Sequence, residues 1–194
     1  MSKLVPPHGG GELKALLPPV IERAEELKRA RSLKKVVMTS RETSDVLMFA
    51  MGAYTPLDGF MGEADWRRVC VEMKTADGLF WPIPITLSAT RELADSIGIK
   101  EEVALVDGET DEIMAIMEVT EKYTIDKDLE CAHVFTTKDR EHPGVQKVME
   151  QGEVNLGGAV LVLSESDYPA KYKGLYLHCA EARALFAEKG WSRV

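Results

Sequence analysis

Few side chains in this sequence are chemically reactive, and their spacing limits what they can do. His142 stands before Pro143-Gly144-Val145, at the head of a stretch with helical apolar spacing. Imidazole titrates near neutrality, so His142 has the chemistry of a general base. The same position equally suits a histidine that starts a helix, held by hydrogen bonds beside Pro143, and the sequence pattern shows no catalytic partner for it. The carboxylate pairs Glu101-Glu102 and Asp126/Asp128 fall in turns and first helical turns, where acids complement the positive end of a helix. They carry no catalytic assignment. Pro6-Pro7-His8-Gly9-Gly10-Gly11 is rich in glycine, but a phosphate-cradling loop follows a strand and leads straight into a helix. Nothing strand-like precedes this one, so it reads as a flexible N-terminal segment. Cys70, Cys131 and Cys179 are far apart and never form a C-x-x-C pair. That pattern argues against a disulfide framework and against structural zinc. It predicts three reduced thiols, two of them in the core. The Walker, dinucleotide-binding, nucleophile-elbow and zinc-protease motifs are all missing. The residues by themselves describe a mixed α/β domain without a complete active site.

The elements that hold these residues belong to ordinary globular chain. The sequence has 194 residues, 45% hydrophobic and 29% charged, with a net charge of -8. Nucleic acid and anionic membrane both reward basic surfaces, so this balance excludes broad affinity for either. No apolar run approaches the length of a membrane span and no signal-peptide core opens the chain, so a cytoplasmic location is expected. Arg23 to Lys35 holds six basic residues. No aromatics interleave for base stacking, and Glu22, Glu25 and Glu26 relieve the charge. This is the solvated side of a surface helix.

That helix starts at Pro18-Pro19 and carries Val20, Ile21, Ala24 and Leu27 as a stripe. Lys35 to Met38 predicts a short strand. Thr39-Ser40-Arg41-Glu42 fits a capping box, with a helix running to about Met51. The turn Gly52-Ala53-Tyr54-Thr55-Pro56-Leu57-Asp58-Gly59-Phe60-Met61 follows. Gly52 is placed to end the helix left-handed, and Gly59 to supply a second positive φ. Tyr54, Leu57, Phe60 and Met61 are too apolar for a loose loop, so the turn is expected to be packed and rigid. Trp66, Val69, Cys70 and Met73 form the core stripe of the next helix. Trp81, Ile83, Ile85 and Leu87 alternate with Pro82, Pro84 and Thr86, predicting a strand at an edge or a bulge. Arg91 to Ile97 reads as a short helix. Val103–Val106 and Ile113–Val119, joined by Asp107-Gly108-Glu109-Thr110-Asp111, read as a hairpin. Helices over Asp126–Val134 and His142–Met149 come next, the second closed by Gly152. A strand through Gly157-Gly158 to Leu163, a polar boundary over Ser164–Gly174 and a helix over Ala180–Glu188 complete the order. Gly190-Trp191 resembles the entry to a further strand.

Taken in order, Pro7-His8-Gly9-Gly10, the Gly52–Met61 turn, Trp81-Pro82-Ile83-Pro84-Ile85, His142-Pro143-Gly144-Val145, Gly157-Gly158 and Arg183 through Gly190-Trp191 resemble the ATP sulfurylase (sulfate adenylyltransferase) family. The resemblance runs along essentially the whole chain. It implies an α+β fold: a PUA-like mixed β-barrel with short flanking helices over 1–165, then a linker and the first helix of a Rossmann-like catalytic domain over 166–194. It also implies an enzyme that converts MgATP and sulfate to adenosine 5′-phosphosulfate and pyrophosphate, and that forms homo-oligomers. The family's Gln-x-Arg-Asn, His-x-x-His and Gly-Arg-Asp-His runs have no counterpart here. The resemblance therefore implies no catalytic, cofactor or metal residue in this chain, with MgATP bound by the part that would follow. It leaves a supporting role, with His142, Gly144, Val145 and Arg183 as expected domain-contact residues. The alternative is a free-standing PUA-like module that binds RNA or completes a separate catalytic chain.

Overall fold

The computed structural model describes residues 4–191. Eight helices and six strands are assigned among them: α1 Val20–Ala30, β1 Lys34–Met38, α2 Ser40–Met51, β2 Gly59–Phe60, α3 Glu63–Glu72, β3 Leu87–Ala89, α4 Arg91–Ser96, β4 Glu102–Asp107, β5 Ile113–Thr124, α5 Lys127–Val134, α6 Pro143–Glu150, β6 Val154–Val162, α7 Tyr168–Lys171 and α8 Cys179–Glu188. The strands form one mixed sheet in the order β1-β4-β5-β6-β2, with β3 also paired to β6. β1 runs parallel to β4, Lys34 opposite Val103, while β2 and β3 run antiparallel to β6. The mixed-sheet expectation holds.

Contacts divide the chain into two interleaved units. The first comprises 1–58, 103–117 and 160–194. Its core includes Ala30, Ala104, Ile116 and Leu163, with Leu27 and Leu33 packed against them. Thr39 begins α2 as the capping-box pattern requires: Glu42 N donates to its hydroxyl, and its own amide donates to Glu42 Oε2 at 2.8 Å. Asp107 ties this helix to the β4–β5 turn. It accepts from Thr43 Oγ1 at 3.1 Å and from Thr110 Oγ1 at 2.7 Å.

The second unit comprises 59–102 and 118–159. Trp66, Cys70, Tyr123 and Ile125 pack together, and the Trp66 indole N–H donates to buried Glu130 at 2.7 Å. Burial pushes the Cys70 thiol far above its usual range, and the Glu130 carboxylate adds to the effect. Cys70 and Cys131 are buried, Cys179 is half-buried, and all three are free thiols.

Four expectations fail for physical reasons. Met73 leaves the core stripe of α3 and is exposed, because it already ends the helix at a φ of 53°. Residues 81–86 form no strand, and Ile83 is exposed where alternation would bury it. Two prolines within three residues remove ladder donors, so β3 begins only at Leu87. Val20 and Ile21 are exposed, because α1 packs through its C-terminal half around Ala30. Gly59 has no positive φ; it lies in β2, buried and opposite Ala159. Of the chain's last segment, Ser192 to Val194 lie outside the described residues, and with them the expected strand entry.

Candidate functional site

Among the stretches singled out by sequence, two meet on α8 within the first unit. They line a cleft of about 340 Å³. The N-terminal segment supplies Val5, Pro6, Pro7, His8 and Leu13. The turn after α2 supplies Gly52, Ala53 and Thr55, and α8 supplies Cys179, Ala182, Arg183 and Phe186.

Each wall has a local cause. Gly9 and Gly10 take φ of 79° and 81°, and Gly10 N donates to Pro7 O at 2.9 Å, turning the segment back on itself. The segment is then held by Lys14 N, which donates to Thr55 Oγ1 at 3.0 Å, and by Leu16 N, which donates to Phe49 O at 3.0 Å. Lys14 also pairs with Asp58. Gly52 ends α2 at φ 81°, its amide reaching Met48 O and Phe49 O. A Cβ there would meet Ala15 at 3.5 Å, an ordinary contact, so the backbone angle rather than space demands glycine. Thr55 Oγ1 donates to Gly52 O at 2.7 Å, and the Thr55–Pro56 bond is cis. Tyr54 edges onto Phe49 with ring centroids 5.3 Å apart and donates its hydroxyl to Asp45 at 2.7 Å. Burial raises the Asp45 carboxyl above its usual range, although Arg41 and the Tyr54 hydroxyl pull the other way. The packed turn expected from its apolar anchors is present.

On the opposite wall, α8 starts at His178, whose amide donates to Glu181 Oε2 at 2.8 Å. His178 Nε2 lies 2.8 Å from Glu165 Oε1, which also accepts from the Tyr176 hydroxyl at 2.9 Å. Arg183 Nη2 donates to Val5 O at 2.7 Å, across 178 positions of sequence. This bond links the N-terminal segment to the helix.

The chemistry of the cleft is that of a packing surface. Burial raises the Cys179 thiol above its usual range, with Arg183 opposing. A protonated thiol is a poor nucleophile. None of the described lining residues is a carboxylate. Among the described residues, no group of three His, Cys, Asp or Glu converges to hold a metal ion. The Arg183 guanidinium is spent partly on a backbone carbonyl.

The other expected contact residues sit together in the second unit, at the α5–α6 corner. His142 caps α6: Gly144 N donates to its Nδ1 at 3.2 Å, and its ring packs against Phe135 with centroids 5.2 Å apart. A Cβ on Gly144 would lie 2.5 Å from Phe135 Cε1. Val145 is fully buried with Cys131 and Val148. These three residues build the corner itself, which is the helix-start reading of His142. Arg183 belongs to the first unit. Sequence reasoning singled out Pro7-His8, Gly52 and Arg183 separately, but nothing in their spacing announces that they share one cleft.

Comparison with known proteins bears on the whole chain. A PUA-like domain family model matches residues 5–165. A sulfate adenylyltransferase from Syntrophobacter fumaroxidans is 61% identical over 196 residues, covering 100% of this chain and 48% of the relative. One from Thiobacillus denitrificans is 54% identical over 194 residues, with the same coverage of 100% and 48%. The chain thus spans about half the length of the curated relatives it matches. A solved structure titled "Hexameric APS kinase from Thiobacillus denitrificans" superposes with a TM-score of 0.69 at 30% identity, covering 97% of this chain and 32% of that one. Among the described residues no helix is long and apolar enough to cross a membrane.

Proposed function

The chain belongs to the PUA-like domain family, and we propose that it is the N-terminal portion of a sulfate adenylyltransferase. The whole enzyme would convert MgATP and sulfate to adenosine 5′-phosphosulfate and pyrophosphate. The observation that carries this reading is 61% identity to such an enzyme along the full chain, over about half of that enzyme's length. The reading of a free-standing RNA-binding or interaction module is not favoured, since relatives matching the whole chain are named for sulfate adenylyltransferase.

The proposed division of labour follows from charge. Sulfate is a weak nucleophile, and its attack on an α-phosphate brings anions together. That step needs clustered cations and amide donors to offset the developing charge. The cleft offers one arginine, already bonded to a carbonyl, in a chain of net charge -8. This portion would support and orient the part that carries the chemistry. In this reading α8 is the first helix of the following domain, and Arg183 anchors it to the N-terminal segment. The α5–α6 corner would offer a second contact through His142 and Gly144, held in place by buried Val145, and the full-length enzyme would be a homo-oligomer in the cytoplasm.

Sulfate-dependent pyrophosphate release tests the proposal. The 194-residue chain alone is expected to be inactive, and the full-length protein active. Turnover by the chain alone would sink the supporting role, and a full-length protein with no such activity would sink the family reading of its function.

A further inference from the structure

The cleft beside α8 carries no catalytic group, but its lining suits a small ligand. Its volume of about 340 Å³ stands at the lower end of ligand pockets, which run from about 300 to 1,000 Å³. The walls are mostly apolar. Pro7 and Leu13 come from the N-terminal segment and Phe186 from α8. All three are half-buried, so each keeps surface that a ligand could cover. Phe186 is braced by Trp191, the two rings stacked with centroids 6.0 Å apart. Most polar groups at the cleft are already used. Thr55 Oγ1 accepts from Lys14 N and donates to Gly52 O. The Gly52 amide reaches Met48 O and Phe49 O. Arg183 is different. Its guanidinium is a planar fork of N–H donors. One bond goes to Val5 O, and no other acceptor engages the fork among the described residues.

Charge and size narrow the ligand. The chain holds 32 acidic residues, yet none of the described lining residues is a carboxylate, so the Arg183 charge is unopposed within the lining. Burial keeps the Cys179 thiol protonated, and it brings no competing negative charge. One cation matches one negative charge. Inorganic sulfate is a dianion and would leave the apolar walls unused. A nucleoside polyphosphate is larger still and carries more charge than one guanidinium can offset. We propose that this cleft binds a small monocarboxylate with a single aromatic ring. The carboxylate sits on the remaining donors of Arg183, and the ring packs among Pro7, Leu13 and Phe186. Such a ligand touches both the N-terminal segment and α8, so its occupancy fastens the two together.

Titration of the 194-residue chain with benzoate, followed by backbone amide shifts, tests this. Benzoate is expected to bind saturably and to move the amides of Gly10, Gly52 and Ala182 most. Benzyl alcohol keeps the ring without the charge, and inorganic sulfate keeps charge without the ring. Each should bind at least about tenfold more weakly, because one loses the charged hydrogen bond and the other the apolar contact. Arg183→Gln should bring benzoate down to the level of benzyl alcohol. Ala182→Leu fills the cleft without removing the guanidinium, and leucine keeps a high helix propensity in α8. It should abolish binding of both ring compounds. Absence of saturable benzoate binding overturns the proposal. So does sulfate that binds as tightly as benzoate, or a benzoate affinity that either variant leaves unchanged. Binding that the full-length protein lacks overturns it as well, because the cleft is then a surface that the remainder of the protein covers.

Discussion

Removing the Arg183 side chain probes the link between the N-terminal segment and α8 most directly. In Arg183→Ala the Val5 carbonyl loses a guanidinium donor at 2.7 Å, and the cleft loses part of one wall. A hydrogen bond from a charged group is worth about 1.5–3 kcal/mol where it is well shielded. This one is open to solvent, and water can replace the donor, so about 1 kcal/mol is the appropriate scale. The loss should be local. The segment is also held by Lys14 N on Thr55 and Leu16 N on Phe49, and neither bond involves α8. Amide exchange at Gly10, inside the turn closed on Pro7, should therefore quicken about fivefold, the factor that 1 kcal/mol represents. Amides in β1 and β4 should keep their rates. Labelling of Cys179 is a poorer readout, because losing Arg183 both opens the cleft and removes the charge that favours the thiolate. Arg183→Lys should restore part of the protection. Unchanged exchange at Gly10, or an acceleration spread evenly through β1 and β4, would refute the strap.

Two further perturbations test how the scaffold is held. In Gly144→Ala the new methyl would sit 2.5 Å from Phe135 Cε1, so the ring must leave its place against His142; overpacking of this kind costs about 1–3 kcal/mol in denaturant unfolding. Phe135→Leu should relieve most of that loss, and additive effects would count against the clash. Asp107 is buried, which raises its carboxyl, but the Thr110 hydroxyl, the Glu109 amide and the Thr43 hydroxyl together hold it below its usual value. Its stabilisation is therefore complete above the ordinary carboxylate range and fades as pH falls through the lowered folded value. Asp107→Asn should cost about 1–3 kcal/mol at neutral pH, with the gap to wild type narrowing in acid. A gap that is constant with pH would show that the charge on Asp107 does not matter.

Local rules made much of this fold readable and failed where long-range contact decides. The Thr39–Glu42 box, the left-handed Gly52 and the proline after His142 are each satisfied by neighbours in sequence, and each stands where its chemistry places it. The Trp66–Cys70 stripe succeeded because α3 buries one face, and Met73 escaped it because that residue already ends the helix at a φ of 53°. The alternation over 81–87 misled because it reports apolar spacing without asking whether the backbone can pair. Gly59 misled for the opposite reason: a glycine beside a turn suggested a special angle, whereas its neighbour Ala159 on β6 made it a strand residue. The cleft is the extreme case. Val5 and Arg183 carry no mark that they will meet, and their bond exists only because the folded chain returns its end to its beginning. Contact-building residues such as Gly144 were singled out by sequence, yet their part in packing against Phe135 was legible only in three dimensions. A reading from sequence can therefore identify which stretches are constrained before it can say what constrains them. In this chain the constraint at the α5–α6 corner is packing, while at α8 it is a single polar tether. Substitution at the corner should be felt throughout its unit, and substitution at the tether only where the N-terminal segment lies.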